Sequence, residues 1–186
     1  MPRIGILALQ GDFEAHERAF QECGAATSLV RGADGLDAVD ALVMPGGEST
    51  TMLKLIHAEH LWEPLESFGQ RKPVFATCAG AILLASEVFH PSQESFGLAD
   101  LSVERNAYGR QVHSHVATID WDGEPLEAVF IRAPIIRRAG SGVRVLAKYQ
   151  GDPVLVESGR HLIATFHPEL TASRRVQRHF LNRMPG

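Results

Sequence analysis

The sequence predicts an α/β protein: a doubly wound, mostly parallel sheet flanked by helices, with an antiparallel or mixed extension in its second half. Three observations predict it. Short, nearly continuous apolar runs recur at residues 4–9, 41–44, 74–76 and 162–166, as expected of strands buried on both faces. Helical spacing fills the intervals between the first of these runs. Turn-forming or small residues follow their ends: Gln10-Gly11-Asp12, Pro45-Gly46-Gly47 and Cys78-Ala79-Gly80. In sheets of this class ligands sit in the crevice at the carboxyl ends of the strands, so Gln10, Gly46-Gly47-Glu48 and Cys78 are candidates for one crevice.

Taken in order, Ile4, Ile6 and Leu7 open the first strand, and Phe13, His16, Ala19, Phe20 and Cys23 then recur on one helical face until Gly24. Residues 27–30 and 41–44 form the second and third strands. Helices follow over residues 50–59 and 61–68, then a strand before Cys78 and a buried helix from Ala81 to Ala85. Beyond residue 100 the rhythm shortens. Residues 101–105, 111–119, 128–131, 143–149 and 153–157 read as short strands, punctuated by Gly140-Ser141-Gly142, Gln150-Gly151-Asp152 and Ser158-Gly159. Residues 162–166 return to a buried strand that ends at His167-Pro168-Glu169. A last helix over residues 173–184 puts Val176, Phe180, Leu181 and Met184 on one face. With no repeat, low-complexity stretch or linker, residues 1–186 are expected to form a single domain.

The balance of charge excludes some classes of function. The chain has 186 residues, 45% apolar and 22% charged, with a net charge of −4 and no basic block suited to a nucleic-acid groove. No apolar run approaches a membrane span, and the first ten residues read as a strand rather than a leader, so a cytoplasmic protein is expected. Its two cysteines, Cys23 and Cys78, make neither a disulfide framework nor a C-x-x-C site. No cofactor and no metal are expected. His113 and His115 alternate on a strand without an acidic third ligand, and Gly46-Gly47 is not followed by the Gly-Lys-Ser/Thr of a phosphate loop.

Chemistry concentrates at two strand ends. A sharp strand-to-helix elbow projects the side chain at its tip, and the helix N-terminus behind Cys78 favours a thiolate, the nucleophilic form. Alone, such a cysteine is more often a small, inert packing residue. At the other strand end, Pro168 forces His167 toward an extended conformation, and Glu169 lies close enough to orient the imidazole. A nucleophile, a base and an acidic support together make a triad. Arg105 and Arg132 are either solvated surface charges or candidates for a carboxylate, which guanidinium binds bidentately, and Gln10 is either a turn residue or a support for the glycine loop.

These residues carry a resemblance to the class I, triad-type glutamine amidotransferases, and within them to the glutaminase subunit of pyridoxal 5'-phosphate synthase. Pro45-Gly46-Gly47-Glu48-Ser49-Thr50-Thr51-Met52, Thr77-Cys78-Ala79-Gly80, Arg105-Asn106-Ala107-Tyr108-Gly109-Arg110-Gln111, Phe130-Ile131-Arg132-Ala133-Pro134 and Phe166-His167-Pro168-Glu169-Leu170 all look like that subunit's motifs. The fold it implies is the flavodoxin-like one of class I glutamine amidotransferases. The resemblance implies Cys78, His167 and Glu169 as the triad. It implies oxyanion donors at Gly47 and Ala79 with support from Gly46 and Gln10. Glutamine contacts follow at Gly47, Glu48, Ser49, Arg105, Ile131 and Arg132. The reaction it implies is hydrolysis of L-glutamine to glutamate and ammonia, which a barrel-shaped synthase partner in a hetero-oligomer would consume. Two features depart from the pattern: His113-Ser114-His115 replaces an aromatic and an acidic residue, and the chain ends soon after its last helix. A stand-alone cysteine hydrolase or peptidase, or a redox-sensing stress protein, is the alternative on the same fold. The redox reading leaves His167-Pro168-Glu169 and the Gly-Gly-Glu-Ser loop without a purpose.

Overall fold

Residues 1–106 and 114–185 are described by a computed structural model. Its core is a seven-stranded sheet in the order β10-β11-β12-β4-β3-β1-β2. The strands are β1 (Arg3–Leu7), β2 (Ala26–Val30), β3 (Ala41–Met44), β4 (Val74–Thr77), β10 (Val143–Tyr149), β11 (Asp152–Ser158) and β12 (His161–Ala164). From β2 to β12 every neighbouring pair is parallel, and β11 and β10 add an antiparallel edge. This is the expected doubly wound sheet with its extension.

Period-2 alternation explains how apolar strands serve two faces. On one face Leu42, Met44, Val74, Ala76 and Ile163 pack with α3 (Ser49–Ala58), α4 (Trp62–Arg71) and α5 (Ala79–Leu84). On the other, Ile4, Ile6, Val43, Phe75, Leu162 and Ala164 pack with α1 (Phe13–Glu22) and α6 (Arg175–Asn182). Phe20 of α1, Phe75 of β4 and Phe180 of α6 meet with centroids 5.5–6.1 Å apart and seat both helices on the sheet. Removing a fully buried Phe such as Phe75 costs about 3–5 kcal/mol.

The second half is more divided than the sequence suggests. β5 (Ala85–Phe89), β6 (Ala99–Glu104) and β9 (Ile135–Ala139) form a separate three-stranded sheet, while β7 (His115–Trp121) and β8 (Glu124–Phe130) form a hairpin. β5 and β9 were not expected. β5 begins at Ala85, the last residue of the expected helix, because α5 stops after six residues. A four-residue helix, α2 (Asp34–Asp37), is also new. β1 stops at Leu7 rather than residue 9, although the Ala8 N–H still bonds Val30 O at 2.8 Å. The Ala107–Gln111 part of the Arg-Asn motif and His113 lie outside the described residues. Among the described residues no helix is long and apolar enough to cross a membrane.

Candidate active site

β4 and β12 are parallel neighbours, so their carboxyl ends bring Cys78 and His167 together. The turn after β4 is tight: Cys78 has φ +49° and its N–H bonds Ala164 O of β12 at 3.0 Å. Left-handed backbone is uncommon outside glycine, and here it makes the turn from β4 into α5. Sγ lies 3.6 Å from Ile131 O. Ala79, the first residue of α5, is buried. Because α5 is short, the helix contributes less than the sequence suggests, and the charged partner facing the thiol is His167.

After β12 the chain runs through Phe166 to His167, whose N–H bonds Val129 O of the hairpin at 2.8 Å. A short 3-10 turn over Pro168–Leu170 then brings Glu169 back, and His167 Nδ1 donates to Glu169 Oε1 at 2.7 Å. Both side chains are buried. Burial opposes a charged imidazole at His167, but its interactions with Cys78 and Glu169 prevail and raise it from 6.5 to about 10. Burial likewise pushes the Glu169 carboxyl up, yet His16 and His167 hold it below the usual carboxylate range. The arrangement is therefore an imidazolium held at Nδ1 by a carboxylate, with Nε2 making no hydrogen bond among the described residues.

The glycine loop after β3 closes over this pair. A Cβ on Gly46 would sit 2.4 Å from His167 Cε1 and 3.2 Å from Cys78 Cβ, so only glycine fits there. Gly47 has φ +149°, and a Cβ on it would meet Gln10 Oε1 at 2.3 Å. That oxygen accepts the Glu48 N–H at 3.0 Å, so Gln10 braces the loop rather than merely turning the chain. Glu48 caps α3, accepting from the N–H of Thr50 at 3.0 Å and of Thr51 at 2.6 Å. Burial presses its carboxyl up, but the Thr51 hydroxyl and these N–H groups hold it at about 2. Arg105 joins the same cluster. Its Nη2 donates to Thr50 Oγ1 at 2.8 Å and stands 4.0 Å from Glu48 Oε1.

Other expected contacts are looser. Ser49 is buried, but its hydroxyl donates to Gln93 Oε1 at 3.1 Å. Ile131 presents its carbonyl to the thiol. Arg132 is exposed and its backbone is left-handed, φ +46°. No cluster of three metal-ligating side chains occurs among the described residues. The His115 ring stacks on Phe130 at 5.0 Å, with Tyr149 beyond it.

Sequence reasoning missed His16. It was placed on the apolar face of the first helix, and it is fully buried there. Yet its Nε2 lies 3.1 Å from Thr77 Oγ1 and 3.4 Å from Glu169 Oε1. The signal in the sequence was a histidine at a position where a leucine would fill the same space.

Comparison with known proteins accords with this geometry. The chain is 55% identical to the pyridoxal 5'-phosphate synthase subunit PdxT of Solibacter usitatus, over 99% of this chain and 100% of that one. It is 50% identical to the PdxT of Pelotomaculum thermopropionicum, over 97% and 94% of the two chains. A crystal structure of a glutamine amidotransferase superposes with a TM-score of 0.90 at 43% identity, covering 97% of this chain and 98% of that one. The family model that matches residues 6–185 is that of the SNO glutamine amidotransferases, and this chain belongs to that family.

Proposed function

We propose that this protein hydrolyses L-glutamine to L-glutamate and ammonia and delivers the ammonia for pyridoxal 5'-phosphate synthesis. The observation that carries the reading is the buried Cys78–His167–Glu169 constellation under the Gly46-Gly47 loop, in a chain 55% identical to a pyridoxal 5'-phosphate synthase subunit. Cys78 thiolate attacks the side-chain carbonyl carbon of glutamine. The oxyanion that forms is stabilised by the N–H groups of Gly47 and Ala79, a contribution worth about 100- to 1,000-fold per donor. The tetrahedral adduct collapses as His167 passes its proton to the departing nitrogen. Water then attacks the thioester, His167 takes its proton, and glutamate leaves with the thiolate restored. Arg105 and Arg132, with Glu48, Ser49 and Ile131, hold the zwitterionic end of the substrate.

The chain has only three lysines, Lys54, Lys72 and Lys148, and no phosphate loop, so ring construction belongs elsewhere. We assign it to a barrel-shaped synthase subunit that forms a cytoplasmic hetero-oligomer with this chain, itself folded as one domain. Nothing favours a stand-alone peptidase or a redox sensor. The test is glutamate release, measured with and without the synthase, and pyridoxal phosphate formation. Release should rise sharply on adding the partner, and Cys78→Ala should abolish it. Ammonium salt should restore product formation by the Cys78→Ala complex. Glutamate release that survives Cys78→Ala would sink the assignment.

A further inference from the structure

We propose that His16 is a positioning residue of this site: its Nε2–H ties Glu169 Oε1 to Thr77 Oγ1, fixing both the carboxylate that orients His167 and the residue on which Cys78 stands. The inference deepens the glutaminase reading and rests on it.

Three elements converge on this imidazole. His16 comes from α1, Thr77 from the last position of β4, and Glu169 from the 3-10 turn; the ring also packs edge-on against Phe75 at 6.1 Å. The side chains of His16 and Glu169 are both fully shielded from solvent. A buried imidazole at a helix–sheet contact is costly unless its polar atoms are used.

The partners decide the tautomer. Nδ1 makes no hydrogen bond among the described residues, whereas Nε2 faces a carboxylate oxygen and a hydroxyl. A proton on Nδ1 would bury an orphan N–H and point the Nε2 lone pair at Glu169. A proton on Nε2 removes both penalties and leaves only an unused acceptor. The ionisable groups facing His16 are Glu169, His167 and Asp12 at the start of its own helix. Burial presses His16 below its ordinary value, Glu169 and Asp12 oppose this, and His167 reinforces it. His16 is thus the neutral member of the pair, a donor through its N–H dipole, while His167 holds the proton.

The carboxylate needs such a holder. Glu169 Oε2 makes no hydrogen bond among the described residues, so its orientation depends on what meets Oε1. One of these groups, His167, is the acid–base itself and changes charge during turnover. His16 supplies a donor that does not.

The test uses the full chain with its synthase partner and three variants. His16→Phe keeps the ring and its packing but removes the donor. His16→Gln keeps a donor of similar reach. Glu169→Ala removes the carboxylate through which His16 acts on His167. Two readouts are taken across pH 5–10: kcat and KM for glutamine, and the rate at which iodoacetamide alkylates Cys78, followed on its own peptide by mass spectrometry. We expect His16→Phe to lower kcat about tenfold with KM moved less than twofold, to lower Cys78 alkylation at pH 6 by a similar factor, and to bring the alkaline limb to lower pH. His16→Gln should recover most of this, and in the Glu169→Ala background His16→Phe should have a much smaller further effect than in the wild type. An unchanged pH profile in folded His16→Phe overturns the proposal, as does full additivity with Glu169→Ala. If His16→Phe does not fold, His16→Leu, which fills the buried space without a donor, is read in the same way. Alkylation needs no glutamine. If the wild-type chain released no glutamate, the proposed function would fall while the alkylation profiles still judged His16.

Discussion

Two regions meet at the glycine loop, and they are built differently. The first lies at the ends of β4 and β12. Cys78, His167 and Glu169 are all buried, set by parallel strand pairing, and His167 and Glu169 are joined at 2.7 Å. The second lies at the start of α3. There the Glu48 side chain is 54% exposed and Arg105 reaches it only at 4.0 Å; Arg132, beyond the end of β8, is likewise exposed. Strand ends fix groups that must hold one geometry. Loops and helix caps carry groups that can meet a substrate arriving from solvent. Burial also separates the regions electrostatically: charge interactions are strong inside the first and screened by water in the second.

If that division is right, damage to the buried region should fall on kcat and damage to the rim on KM. The largest effect is expected from Cys78→Ala, which removes the proposed nucleophile and should abolish glutamine turnover with the fold intact by circular dichroism. His167→Asn should be nearly as severe, about 10⁴-fold or more in kcat. Glu169→Gln should be milder, about 100-fold, since a hydrogen bond to the imidazole survives without the charge. A Glu169→Gln enzyme slower than His167→Asn at neutral pH would reverse these roles.

The pH dependence sharpens the comparison. His167 is raised in the fold from 6.5 to about 10, so the stability it contributes is fully present below pH 6.5 and lost as pH rises through about 10. Activity that requires the imidazolium should decline over the same alkaline range, and Glu169→Gln should move that decline to lower pH. A stopped assay at several pH values, with thermal melts alongside, checks both.

Gly46→Ala probes the seam between the regions. Its methyl would collide with His167 Cε1, on a ring that is buried and held at Nδ1 by Glu169. We expect a loss of kcat of at least tenfold and about 1–3 kcal/mol of stability, read by melting and kinetics together. On the rim, Arg105→Ala should raise KM several-fold with kcat changed little. A dominant kcat effect there would break the division. The smallest effect belongs to Cys23→Ala. Cys23 is only partly buried at the end of α1, so stability should fall by under about 1 kcal/mol with turnover unchanged.

The chain's local pattern determined a good deal by itself. Apolar runs placed β1, β3, β4 and β12, because a strand buried on both faces has no polar residues to interrupt it. Their sequence neighbours, Gly46-Gly47, Cys78 and His167-Pro168-Glu169, were thereby marked as strand-end residues. The tertiary structure alone decided the rest. β5 and β9 are short and only half buried, and they become strands through partners distant in sequence: β6 pairs with β5 on one side and β9 on the other. Gln10 became a brace only when Glu48, 38 residues away, came within hydrogen-bond reach. His16 shows the limit most clearly. Helical spacing assigned it correctly to a buried face, but spacing registers which way a side chain points and not what it meets. Its partners, Thr77 and Glu169, lie 61 and 153 residues away and are brought to it by the packing of α1 across the sheet. A hydrogen bond is a matter of a few tenths of an ångström between such distant segments, and only the packed fold sets that distance.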